Sequence, residues 1–163
     1  MNSTSTVSPR PAGILMWLTY LVGGVGYLIG TYTLNADPPS LSIAALLAVT
    51  ATGILSFIRH AIFNRSDAVR GGWNYGVRNN FQIEVGLANL AWGLFALLAV
   101  IFGWGLVAVS SSFIISGLYF AFVTVFVIVT GDLKDRKVLP LIGIAVWAGM
   151  VLSMGIWGMT VAT

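Results

Sequence analysis

RHAIFNRSDAVRGGWNYGVRNNFQIEVGLANLAWG, residues 59–93, is the stretch on which the fold turns. It is the one long polar interruption in an otherwise lipid-like chain. It holds the sole histidine, His60, the sole glutamate, Glu84, and half of the eight basic residues. Apolar runs flank it on both sides. Each is close to the twenty or so residues that a helix rising 1.5 Å per residue needs to cross a hydrocarbon core of roughly 30 Å.

Working outward, the chain reads as an all-α polytopic membrane bundle with five spans, at about 12–34, 41–63, 81–101, 106–130 and 138–161. Residues 1–11, rich in Ser, Thr and Pro, read as a flexible cytoplasmic tail, and 12–161 as one transmembrane domain. Gly26 and Gly30 form a small-xxx-small pair on the first span, suited to close helix approach. Asp37, Pro38 and Pro39 mark the first turn, and Gly103-Trp104-Gly105 a tight turn that makes spans three and four antiparallel neighbours. Residues 64–78 read as a polar loop, with Gly71–Gly72 breaking any continuous helix. Asn79 followed by Gln82 resembles a capping box opening span three. There Gln82, Gly86, Asn89 and Gly93 recur at four- and three-residue steps and so share one face.

Five spans put Arg10, Arg59, Arg65, Arg70, Arg78, Lys134, Arg136 and Lys137 all on one side. Basic loops face the cytoplasm, so the amino terminus is expected inside and the carboxyl terminus outside, in the cytoplasmic (inner) membrane of a prokaryote. The sequons at Asn2 and Asn64 then fall on the cytoplasmic side, where they would not be glycosylated. The start does not read as a secretory leader, because its apolar run is long enough to span and no small-x-small site follows it.

Composition excludes several classes. With 58% hydrophobic and 8% charged residues, too little polar surface exists to cover a water-soluble core holding five such helices. The strands of an outer-membrane barrel would alternate in polarity, which these runs do not. A net charge of +3 spread over short loops offers no continuous footprint for nucleic acid. The absence of cysteine and the single histidine rule out thiolate and multi-histidine metal centres within one chain, so no metal site is expected. Neither Lys134 nor Lys137 lies inside a span, which removes a retinal Schiff base, and the identity of any cofactor stays open.

The candidate ligand-binding residues are Arg59, His60, Arg78, Gln82, Glu84 and Asn89. Glu84 near the start of span three is a carboxylate at interface depth, able to accept a proton, hold a cation or pair with Arg59 or Arg78. His60 ends span two, so an antiparallel neighbour brings it within reach of Glu84 and could create a proton-responsive pair. Asn89 and Gln82 are amides that need partners in lipid, either another helix or a ligand. Arg59, Arg70 and Arg78 could take phosphate or carboxylate. The Arg59–His60 end of span two followed by FQIEVGLANLAWG resembles a signature of a family of small uncharacterised bacterial and archaeal membrane proteins. That resemblance marks Arg59, His60, Gln82, Glu84, Asn89 and Gly93 and implies no particular activity.

Three functions remain open on these residues. One is a small-molecule or ion-handling protein with a polar pocket at the cytoplasmic ends of spans two and three, acting as a homo-oligomer. The second is an accessory subunit of a larger membrane complex. The third is a membrane enzyme using Glu84 and His60 as acid and base, with no nucleophile, metal or cofactor motif beside them. The bilayer is the partner common to all three.

Overall fold

The computed structural model describes residues 7–72, 79–129 and 138–163. In chain order the helices are α1 (Arg10–Thr33), α2 (Ser42–Ile62), α3 (Asn64–Gly71), α4 (Asn80–Ile101), α5 (Gly105–Val129) and α6 (Val138–Ala162). All but α3 are long and apolar enough to cross a membrane, and their bounds fall within two residues of the expected spans.

The burial pattern is that of a protein solvated by lipid. Trp17 and Tyr32 are 68% and 79% exposed, and many leucines, isoleucines and phenylalanines on every long helix also face outward. The interior meanwhile holds Thr50, Ser56, His60, Asp67, Gln82, Asn89, Ser110, Ser112 and Ser116. In water, so broad an apolar exterior would drive aggregation; in hydrocarbon it is the solvated face.

Glycines set the helix spacing. A Cβ on Gly26 would come within 2.7 Å of the Ala48 backbone nitrogen, and one on Gly53 within 2.6 Å of the Asn89 carbonyl oxygen. Backbone approaches of that kind admit no side chain, so α1 lies close on α2, and α2 on α4. The expected face of α4 is the one used: Gln82, Gly86, Asn89 and Gly93 are all buried, with Gly86 against His60 and Ala61 and Gly93 against the backbone of Val49, Thr50 and Gly53. On the other side of the bundle α5 and α6 pair closely, Gly117 against Leu152 and Gly155 against Ile114. Gly103 and Gly105, with φ of 61° and 88°, make the turn from α4 to α5.

Two departures from the sequence expectation bear on function. First, part of the segment read as a polar loop is helical: α3 runs from Asn64 until Gly72 adopts φ 74° and caps it. Second, α2 contains two π-helical stretches, Leu46–Ala51 and Ile58–Ile62. The latter closes with Phe63 N–H donating to the Ile58 carbonyl five residues back, at 2.9 Å. Such widened turns recur at functional sites, and this one carries Arg59 and His60.

Candidate functional site

The corner where α2, α3 and α4 meet is built around a side chain that sequence reasoning passed over, Asp67. It is fully buried, on an eight-residue helix whose placement is fixed from a distance. Ser66 donates to the Ser8 carbonyl at 2.7 Å and accepts the Ala12 N–H at 3.2 Å, so α3 caps the first turn of α1 and is held there. With Ser66 turned toward α1, Asp67 is held beneath the end of α2.

Both carboxylate oxygens are occupied. Oδ1 accepts from Arg70 Nε and Nη2 at 3.0 and 2.9 Å, a fork from one turn along the same helix. Oδ2 accepts from Gln82 Nε2 at 2.9 Å across to α4, and His60 Nδ1 lies 2.8 Å away. The histidine N–H points off the line to the oxygen, so this is a close electrostatic contact more than an aligned hydrogen bond. Arg59 Nε stands at 3.7 Å from Oδ1, beyond hydrogen-bond length, and has no hydrogen-bond partner among the described residues.

Arg59 instead meets its neighbour: its Nη2 is 2.6 Å from His60 Nε2. A guanidinium has no lone pair, so the imidazole nitrogen must be the acceptor. That fixes His60 as the neutral Nδ1–H tautomer, accepting from Arg59 on one side and presenting its N–H to Asp67 on the other. Burial alone would push the Asp67 carboxyl up. The His60 ring and the Arg59 and Arg70 guanidinium groups outweigh burial and hold it well below the usual carboxylate range. Among the described residues the corner therefore carries two guanidinium cations and one carboxylate, a surplus of one positive charge. The side chains of Arg59 and Arg70 are 15% and 29% exposed, so the surplus lies near the edge of the bundle.

Arg59, His60 and Gln82 are thus brought together as expected, joined by Arg70 and organised by Asp67. Asn89 lies deeper. Its amide donates to the Val85 carbonyl at 2.7 Å, and its side chain also interacts with Tyr119 of α5, whose phenol lies in the electrostatic reach of Arg59. Tyr119 in turn packs on Trp92 with ring centroids 4.6 Å apart. Glu84 departs from expectation. It is exposed and, among the described residues, makes no ion pair, while the partner imagined for it, His60, is taken by Asp67. Arg78 lies outside the described residues. Asn79 does cap α4, accepting the Phe81 N–H at 3.0 Å, but Gln82 does not complete a capping box: its side chain turns to Asp67, and its Oε1 accepts no hydrogen bond among the described residues.

No group of His, Asp and Glu fit to hold a metal ion occurs among the described residues. No family model, no curated protein and no solved structure matches this chain.

Proposed function

We propose that the chain is a small integral protein of a prokaryotic cytoplasmic membrane, amino terminus inside, that binds or passes a small molecule or ion at the Asp67 corner and works as a homo-oligomer. The observation that carries this reading is the surplus positive charge: two guanidinium groups face one carboxylate at the end of a membrane span. An uncompensated charge in such a place costs several kcal/mol, which an anion entering from the headgroup side would offset. The favoured ligand is therefore a small anion or an acidic solute. Arg59, whose Nε has no hydrogen-bond partner among the described residues, is its first contact, with His60, Arg70 and Gln82 around it and Asn89 further along the same polar interior. Glu84 takes no part.

The test uses protein in nanodiscs titrated with chloride, acetate, hydrogencarbonate and phosphate, read by calorimetry and thermal stability. At least one should bind, and Arg59→Gln should abolish that binding while leaving the fold intact. No response to any of them, in oligomer or monomer, would refute the reading.

An accessory subunit is the second reading, favoured by the same carboxylate. Asp67 already accepts hydrogen bonds from α3 and α4 and lies in close electrostatic contact with His60 of α2, the arrangement expected of a clamp that ties the three helices together. A stoichiometric, non-identical partner retained through purification would favour it. The acid–base use of Glu84 with His60 has no support, because those two side chains are not paired.

A further inference from the structure

A groove of about 600 Å³, whose lining does not include Asp67, lies between the α2–α3 junction and the start of α1. Its size falls in the range of roughly 300–1,000 Å³ typical of small-molecule sites. Ile62, Phe63 and Ile83 form its apolar side, and Ile62 and Phe63 continue onto the lipid-exposed surface. Ser8, Asn64 and Arg65 form its polar side.

The polar groups are specific about what they can take. The first-turn amides of α1 do not offer an anion site, since Arg10 N–H goes to Ser8 Oγ at 3.3 Å and Ala12 N–H to Ser66. Arg65 is the cation of the groove. Asn64 Nδ2 donates to the Ala61 carbonyl at 2.7 Å, which fixes the amide and leaves its Oδ1 buried with no donor among the described residues. A buried acceptor in that state is costly unless a donor reaches it. The groove thus asks for an anionic group, a hydrogen-bond donor, and an apolar tail that leaves along Ile62 and Phe63.

We propose that this groove binds the phosphoethanolamine headgroup of a membrane phospholipid, the phosphate on Arg65 and the ammonium on Asn64 Oδ1. Phosphocholine has the same phosphate but no N–H to give, so the site discriminates between the two. This proposal is independent of the Asp67 reading and stands or falls without it.

The test compares full-length protein in phosphatidylcholine nanodiscs with and without phosphatidylethanolamine, reading retained lipid by native mass spectrometry and the thermal midpoint. Wild type should retain phosphatidylethanolamine and melt higher in its presence. Asn64→Ala should cut that preference by about tenfold or more, and Arg65→Gln, which removes the phosphate contact common to both lipids, should cut retained phospholipid of either kind by a similar factor. Because the readout for Asn64→Ala is the difference between lipids within that variant, a general loss of its stability cancels. Equal behaviour of wild type in the two lipids, an undiminished preference in Asn64→Ala, or undiminished lipid retention in Arg65→Gln would overturn the proposal. Glycerophosphoethanolamine added to phosphatidylcholine nanodiscs separates the sources. If it reproduces the whole effect, the ligand is a soluble phosphoester and the membrane source is overturned; no effect of the free headgroup supports the lipid.

Discussion

Removing the Asp67 carboxylate should be the most damaging single change at this corner. Asp67→Ala takes away a buried, charge-assisted bond to Gln82, a contribution of about 1.5–3 kcal/mol. It also leaves Arg59, only 15% exposed, without a counter-charge. The Arg70 fork adds little, on the order of 1 kcal/mol or less, because that side chain is 29% exposed and keeps much of its hydration. Together these fall in the range of about 3–5 kcal/mol observed when one partner of a buried ion pair is removed. Asp67→Asn keeps the shape but turns an N–H₂ group toward donors, so it should cost at least about 2 kcal/mol. The assay is unfolding of purified protein in mixed micelles over a range of denaturing detergent, with Glu84→Gln as control. Both substitutions neutralise one carboxylate, but Glu84 is exposed, and its loss should stay within about 0.5 kcal/mol. If Asp67→Asn is as mild as Glu84→Gln, the clamp is not holding the helices and the argument from it fails.

Three further outcomes follow from the same geometry. The Asp67 carboxyl is held below the 3.8 of an ordinary aspartate. Its contribution is therefore complete at pH above about 4 and lost as pH falls towards the folded value. The stability difference between wild type and Asp67→Asn should be flat from about pH 7 to 5 and shrink below about 4; a difference that instead grew on acidification would reverse the sign and refute the pairing. Solid-state NMR of His60 near neutral pH should show the Nδ1–H tautomer demanded by its contact with Arg59, and an Nε2–H signal would contradict that contact. Gly53→Ala should cost about 1–3 kcal/mol, because its Cβ would meet the Asn89 carbonyl oxygen. Gly24→Ala, with nothing within 4 Å, should be neutral or slightly stabilising, and equal effects at the two positions would refute the close α2–α4 approach.

Much of this architecture was legible because lipid imposes length and continuity on each segment. The positions of the five long helices, the turn at Gly103–Gly105 and the shared face of Gln82, Gly86, Asn89 and Gly93 all follow from local pattern. That same pattern already settled Glu84. Two residues beyond Gln82 is about 200° around a helix, so burying the Gln82 face turns Glu84 outward. Pairing it with His60 treated a lone carboxylate as a signal and neglected its phase. Asp67 was hidden for the opposite reason. The segment around it is short, polar and rich in arginine, which reads as a solvated loop, and its burial comes from Ser66 meeting Ser8 and Ala12 more than fifty residues away. No local periodicity encodes that contact. One clue did lie in the chain: Asp67 is the single acidic residue among Arg59, Arg65, Arg70 and Arg78. Where basic residues cluster at a membrane face, the carboxylate to examine is the one placed among potential donors, because burying it there is far less costly than burying an isolated charge. On that criterion Asp67 outranks Glu84 from sequence alone, and the geometry of the corner is the physical reason.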